Sequence, residues 1–388
     1  MEMRDIRTSG RLPNTYVRML ALVMAAAALP AAAQDVRREL PLPRVSGFEL
    51  LKADLHLHSI FSDGEVWPTV HVREAWRDGL DVVALSEHRE YRPHASHVTG
   101  GSGAAHATAA PLADDLGVLL VPAAEITRPV PNQPSAWPVG SAHFNALFVS
   151  DDEPLGDGDL RVALQAARSQ GAFVFWNHPG FMGRPAEWFE HVDEVFRLGL
   201  FGGIEVVNGD DFFPEAFRWA LERKLAILAC SDAHLPMPAH LHSARRPVTI
   251  LFARARTLGG VRDALVSRRT VAWLDRDLWG EEEWLRALWA GAIGSRLVAD
   301  GRPGGAVSVA VHNPTALDFD VEILSAPTWL SLSGARLERF ATTLLRGKLA
   351  AAAPRGVHEV QVRVGIRNLH TAPDRTLSDG LTIAVRIE

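Results

Sequence analysis

From residue 50 to about residue 290, short apolar runs alternate with segments whose apolar positions recur at helical spacing. The runs predict strands over 51–57, 81–86, 118–124, 143–149, 172–177, 203–208, 226–231 and 248–252. Between them the pattern predicts helices over 68–78, 160–170, 186–198, 214–223 and 261–268, with a closing helix over 281–290. Pro68 and Gly79 bracket the first of these, because proline fits the opening turn and glycine the residue past the end. Strand–helix alternation repeated this often predicts parallel β/α architecture, as a barrel or a doubly wound sheet.

After Gly294 the period changes from helical to two. Val307, Val309 and Val311 alternate with small or polar residues, and so do Phe319, Val321 and Ile323. Val360, Val362, Val364 and Ile366 continue it, followed by Leu381, Ile383, Val385 and Ile387. One apolar face at period two predicts antiparallel strands. Residues 295–388 therefore read as a small C-terminal antiparallel β-sandwich behind a β/α domain over 34–294.

The first 33 residues fit neither pattern. Arg4, Arg7, Arg11 and Arg18 precede an uncharged run over 19–29, and Ala31-Ala-Ala33 follows Pro30. A basic start, an apolar middle and a small-residue exit describe a secretory signal peptide cleaved after Ala33. The apolar run is about half the twenty residues that a bilayer span requires. The mature chain is thus expected to be exported, periplasmic or secreted, with no membrane span.

Composition adds three constraints. The chain has 388 residues, 47% of them hydrophobic and 22% charged, which is ordinary for a globular protein. A net charge of −6 argues against a broad nucleic-acid surface. A single cysteine, Cys230, excludes an internal disulfide framework and a Cys-rich zinc site. Thirteen of the sixteen histidines fall between His56 and His242, a clustering that suits imidazole ligands better than surface decoration.

Their placement is more telling than their number. His56 and His58 alternate on the first predicted strand and so share one face. Ser62-Asp63-Gly64 follows. The second strand closes on Ser86-Glu87-His88, the third leads to Glu125, the fourth opens with His143, and the fifth ends in Asn177-His178. The seventh ends Cys230-Ser231-Asp232-Ala233-His234, where Asp232 and His234 again share a face. In β/α barrels functional side chains collect at the C-terminal strand ends. Histidine and carboxylate donors there suit Zn, Mn or Fe.

Asp54-Leu-His56-Leu-His58 with Ser62-Asp63-Gly64, Glu87-His88, Glu125, His143, His178 and Asp232-Ala-His234 resembles the pattern of the PHP (polymerase and histidinol phosphatase) superfamily. The resemblance implies a distorted seven-stranded, TIM-like β/α barrel and a trinuclear centre that hydrolyses phosphate esters with a metal-held hydroxide. It implies that His56, His58, Glu125 and Asp232 hold one metal, and that Glu125 bridges to a second held by His143 and His178. Asp63, His88 and His234 then hold the third. Glu87 departs from the pattern, since many members carry Asp there. The strings Ser86–His94, Glu125-Ile-Thr-Arg128, Arg269-Thr-Val-Ala-Trp273 and Glu283-Trp-Leu-Arg286 resemble the exported organophosphate phosphodiesterases of the Sb-PDE type. That narrower likeness implies small phosphate or phosphonate diesters as substrates.

Other residues near the motifs are weaker candidates. Arg92 and Arg128 follow His88 and Glu125 closely, so they are candidates for binding phosphoryl oxygens, with pairing to nearby acids as the alternative. His94 is the candidate general acid, because imidazole titrates near working pH. Asn208 ends a strand and is a candidate substrate or ligand orienter. A proline-rich stretch over 129–138 reads as an insertion beside the site. Two readings compete with a diesterase: a monoesterase of the histidinol-phosphatase type, and a non-catalytic metal- or phosphate-binding protein. An amidohydrolase would need a bridging lysine, and Lys52, Lys224 and Lys348 lie at no suitable strand end.

Overall fold

The computed structural model describes residues 36–129, 141–156, 158–183, 186–241, 246–293 and 297–388. The expected signal peptide, nearly all of the proline-rich stretch and the expected boundary at 294–295 lie outside the described residues. Arg38–Glu388 forms one compact unit. Among the described residues no helix is long and apolar enough to cross a membrane.

The first strands are β1 (Glu49–Asp54), β2 (Val82–Leu85) and β3 (Leu119–Pro129). They are followed by β4 (Ser141–Leu147), β5 (Phe173–Trp176), β6 (Gly203–Asn208), the short β7 (Asp211–Phe212) and β8 (Ala226–Cys230). Then come β9 (Val248–Ala253), β10 (Thr270–Leu274) and β11 (Asp277–Gly280). Helices Pro68–Arg77, Leu160–Ser169, Glu190–Arg197, Pro214–Arg223, Leu258–Val266 and Glu282–Ile293 fall close to the spans the periodicity predicts. A further helix, Ser102–Leu116, is absent from that pattern. Its SGAAHATAAPLADDL composition has little contrast between faces, and Ala105, Ala109 and Ala113 are its buried stripe.

The sheet is mixed rather than purely parallel. β1–β2, β2–β3, β5–β6 and β6–β8 pair in parallel. β4 runs antiparallel to both β3 and β5. The reversal places the start of β4 beside the ends of the parallel strands, which brings His143 to the same end as Glu125 and His178. The sheet continues from β1 through β9, β10 and β11, all antiparallel. β8 is tied to β9 and β10 by side chains: the Ala229 amide donates to Thr249 Oγ1 and the Ile227 amide to Thr270 Oγ1, both at 2.9 Å.

Beyond residue 296 the regular elements are all strands. The first five are β12 (Leu297–Gly301), β13 (Ala306–Asn313), β14 (Phe319–Ser325), β15 (Leu330–Leu332) and β16 (Ala335–Leu337). The last three are β17 (Ala341–Leu349), β18 (Gly356–Ala372) and β19 (Arg375–Ile387). β13, β17 and β15 make a separate three-stranded sheet, while β18 pairs in parallel with β11 and so continues the large one. Val307, Val309, Val311, Val362, Val364, Ile366 and Ile383 point inward as the period of two predicts. They share one apolar cluster with Leu285, Leu288 and Trp289 of helix Glu282–Ile293 and with Val83 and Phe252 of the first sheet. Trp289 meets Phe319 edge-on at 5.3 Å between ring centroids.

Candidate metal centre

β1 delivers the chain to Asp54, and the following residues are laced to β2 and β8 by backbone bonds. The Asp232 amide donates to the His56 carbonyl (2.9 Å), His58 to Ala233 (3.0 Å) and Ser86 to Leu57 (2.8 Å). His56 and His58 are thereby fixed side by side and fully buried. His56 Nε2 lies 3.0 Å from His58 Nε2, 3.2 Å from Glu125 Oε2 and 3.1 Å from Asp232 Oδ1. His58 Nε2 lies 3.0 Å from Glu125 Oε2 and 3.2 Å from Asp232 Oδ1. Bonds of 2.0–2.1 Å to a tetrahedral ion set donor–donor edges of about 3.3 Å, and the five contacts just given are close to that edge.

The other donors gather around this group. His143 Nδ1 is 2.8 Å from Glu125 Oε1, and His88 Nδ1 is 3.4 Å from Glu125 Oε2. His178 Nε2 is 3.5 Å from Asp232 Oδ2. Asp63 stands 3.4 Å from His234 Nε2 and 3.6 Å from both His88 Nε2 and His58 Nδ1. All nine residues fall into compact donor groups: His58, Asp63, His88 and His234; His56, His58 and Glu125; His56, His178 and Asp232; His88, Glu125 and His143. His178 therefore groups with His56 and Asp232, and His88 also reaches the Glu125–His143 pair. The Oδ1 atoms of Asp63 and Asp232 are buried and face imidazole nitrogens, which suits carboxylates that share a cation with them.

Local backbone geometry is fitted to this convergence. The Gly64 amide returns to the Ser59 carbonyl at 3.0 Å, and a Cβ on Gly64 would stand 2.3 Å from the His58 carbonyl oxygen. Only glycine permits the tight return that sets Asp63 against His58. His178 and Asp232 occupy positive φ, at 26° and 54°, a conformation that side chains other than glycine avoid at some cost.

Charges within the cluster are strongly coupled. Burial alone would push the Glu125 and Asp232 carboxyls up, yet the surrounding imidazoles hold both well below the usual range. Burial opposes the charge on His58, but hydrogen bonds that it donates to Asp232 and Glu125 raise it to about 10. His88 and His178 are pulled down by burial to about 3 and about 4, which leaves them neutral and able to donate a lone pair.

A second layer of buried polar groups orients the donors. Glu205 accepts from His56 Nδ1 at 2.8 Å, from the His178 amide at 2.8 Å and from Asn208 Nδ2 at 2.9 Å. Asn177 donates to Glu125 Oε1 at 2.9 Å and to Asn145 Oδ1 at 3.1 Å. Glu87 points away from the donors and accepts from the Ser59 amide, Ser59 Oγ and Ser62 Oγ, binding the turn that carries Asp63. Asp54 accepts from Ser231 Oγ (2.6 Å) and Arg246 Nε (2.7 Å), fixing the end of β8. His71 holds the His58 carbonyl at 2.7 Å. Glu205 and Asn145 escape a reading of strand ends. The available signal is a carboxylate inside the apolar run Gly-Ile-Glu-Val-Val-Asn, since a buried charge demands partners.

The remaining sequence candidates are placed unevenly. Arg92 is half-buried, with Nε donating to the Phe61 carbonyl at 3.2 Å, two residues from Asp63. Arg128 is buried in an ion pair with Glu90 and donates to the Thr127 and Leu155 carbonyls, each at 2.9 Å. Its charge is consumed in holding β3 to the loop after β2. Asn208 serves Glu205. His94 lies in the turn after β2 where its carbonyl accepts from His97 and Val98. Among the described residues its ring makes no hydrogen bond, ion pair or ring contact with the nine.

No family model and no curated protein matches the chain. Among solved structures, a two-domain protein from Bacteroides vulgatus containing a predicted PHP-like metal-dependent phosphoesterase is 34% identical, with a TM-score of 0.79 over 89% of this chain and 99% of that one. A protein from Bifidobacterium adolescentis described as a metal-dependent phosphoesterase is 16% identical, with a TM-score of 0.40 over 55% of this chain and 96% of that one. A lesion-specific endonuclease from Pyrococcus furiosus is 15% identical, with a TM-score of 0.37 over 56% of each chain. Shared identity over nearly the whole length of the first protein is decisive: the chain belongs to the PHP-like metal-dependent phosphoesterases, enzymes that hydrolyse phosphoric esters.

Proposed function

We propose that the protein is an exported phosphodiesterase that hydrolyses small organic phosphate or phosphonate diesters at a centre of three divalent ions. His56, His58, Glu125 and Asp232 hold one ion, Glu125 with His143 and His178 a second, and Asp63, His88 and His234 the third. The observation that carries the reading is the convergence of nine buried or half-buried His, Asp and Glu donors, with His56, His58, Glu125 and Asp232 in contact at 3.0–3.2 Å. Divalent ions supply Lewis acidity in such a site, acidifying water and neutralising phosphoryl oxygens. The chain's own residues do the rest: Glu205 and Asn177 orient His56 and Glu125, and the surrounding apolar strands exclude bulk water.

Preference for a diester is supported by the charge around the donors. Arg128 is neutralised by Glu90, which leaves Arg92 as the cation beside the Ser59–Gly64 turn. One such cation suits the single negative charge of a diester better than the two of a monoester. Within this reading β1–β6 and β8 are the seven staves of a distorted barrel, supported by the parallel bridge between Leu57 and Ala233. The two sheets after residue 296 are the faces of a β-sandwich, supported by their shared apolar cluster.

Elemental analysis of the purified protein tests the centre, with about three metals per chain expected and zero or one refuting it. Matched mono- and diesters assayed on metal-loaded protein test the substrate class. Monoester turnover equal to or above diester turnover rules out the diesterase. Fractionation of expressing cells, with the mature N-terminus at Gln34, tests export.

A further inference from the structure

Among the described residues Phe181 belongs to none of the three hydrophobic clusters. It follows His178-Pro179-Gly180 on a single 3-10 turn, Phe181–Gly183, and its amide donates to the His178 carbonyl at 3.0 Å. The side chain is half-buried. Its ring partners among the described residues are imidazoles of the donor cluster: His178 at 4.8 Å and His143 at 6.3 Å between centroids. A large apolar side chain normally packs into a core, touching many apolar neighbours. Here the turn that supplies His178 presents a phenyl ring, partly open to solvent, directly beside the donors.

We propose that Phe181 is a specificity-determining residue, forming the wall against which an aryl or bulky alkyl substituent of the substrate packs. The inference rests on the phosphodiesterase reading of the same site. A phosphoryl group held among the nine donors must direct its organic substituents outward. Beside His143 and His178 such a substituent has the half-buried Phe181 ring within reach. A polar substituent there would lose water without gaining a partner, whereas an aromatic one gains buried area and an offset ring contact. The wall selects by the organic group and leaves the charge of the phosphoryl oxygens to the cations.

Equilibrium binding separates this role from mere positioning of the two imidazoles. Metal-loaded full-length protein is titrated by calorimetry with phenylphosphonate and with methylphosphonate, for wild type, Phe181→Ala and Phe181→Leu, with metal content measured alongside. The wild type is expected to prefer the phenyl ligand by about tenfold. Phe181→Ala should bind both alike, and Phe181→Leu should fall between, each with wild-type metal content. A wild type without preference, or either variant retaining it in full, overturns the proposal. Loss of metal with parallel weakening of both ligands in Phe181→Leu also overturns it, assigning the ring to support of His143 and His178. Monoester turnover exceeding diester turnover would sink the diesterase reading while leaving the phenyl-over-methyl comparison intact.

Discussion

Glu205 Oε1 accepts the proton of His56 Nδ1 at 2.8 Å, which turns His56 Nε2 toward His58, Glu125 and Asp232. A carboxylate can only accept, so the contact fixes which ring nitrogen is available as a lone pair. The same carboxylate holds the His178 amide, and one residue thereby orients donors that follow β1 and β5. Glu205→Gln is expected to weaken metal binding by about 10- to 100-fold. Competition with a chromophoric chelator reads this directly, and an affinity unchanged within twofold would remove Glu205 from the support of the site.

Glu87 is expected to act on the turn rather than on metals. Its carboxylate takes the Ser59 amide and both the Ser59 and Ser62 hydroxyls, the last two at 2.5 Å. Glu87→Ala leaves three buried donors without an acceptor, which costs about 3 kcal/mol or more. Because the turn carries Asp63, the variant should also lose about one metal equivalent while the His56–Asp232 group keeps its own. Denaturant unfolding and elemental analysis on the same preparation check both halves. Full stability in this variant would contradict the assigned role.

The strand-end pattern was legible because β1 and β8 end just before the pairs His56/His58 and Asp232/His234, although those pairs lie past the strands and Asp232 is at positive φ. His143 was legible for a subtler reason: β4 is reversed, so an early residue on it joins late residues on its neighbours. Glu205 was not, because a lone acid within an apolar strand carries no spacing signal. Helix Ser102–Leu116 was hidden by its alanines, whose faces hardly differ in polarity. The fate of Arg128 depends on Glu90, which is remote in sequence and adjacent only once β2 and β3 pair. Periodicity reports which face a residue is on, and not what it meets there.

His71 provides a pH test that does not involve the donors' own titration. Burial lowers it to about 4, so it is neutral while it holds the His58 carbonyl. Between its unfolded value near 6.5 and about 4, the unfolded chain binds the extra proton. Stability should therefore fall as pH drops through this window, by about 3 kcal/mol once it is crossed. His71→Gln keeps a donor for the carbonyl and cannot titrate. Its unfolding free energy should decline less between pH 6.5 and 4 than that of the wild type, and identical slopes would discount His71 as an acid-sensitive group.

Arg92 and Arg128 should separate cleanly under substitution, although the sequence presents them alike. Arg92 is half-buried, and its Nε donates to the Phe61 carbonyl within the turn that carries Asp63. Arg92→Ala is expected to raise KM for a diester by about tenfold, with metal content and unfolding midpoint unchanged. Arg128 is buried and reaches the exposed Glu90, and its removal leaves the buried Thr127 and Leu155 carbonyls without their donor. Arg128→Ala should destabilise the fold by about 2 kcal/mol, since two buried acceptors lose their hydrogen bonds. A rise in KM without destabilisation for Arg128→Ala would reverse the assignment and return Arg128 to the substrate.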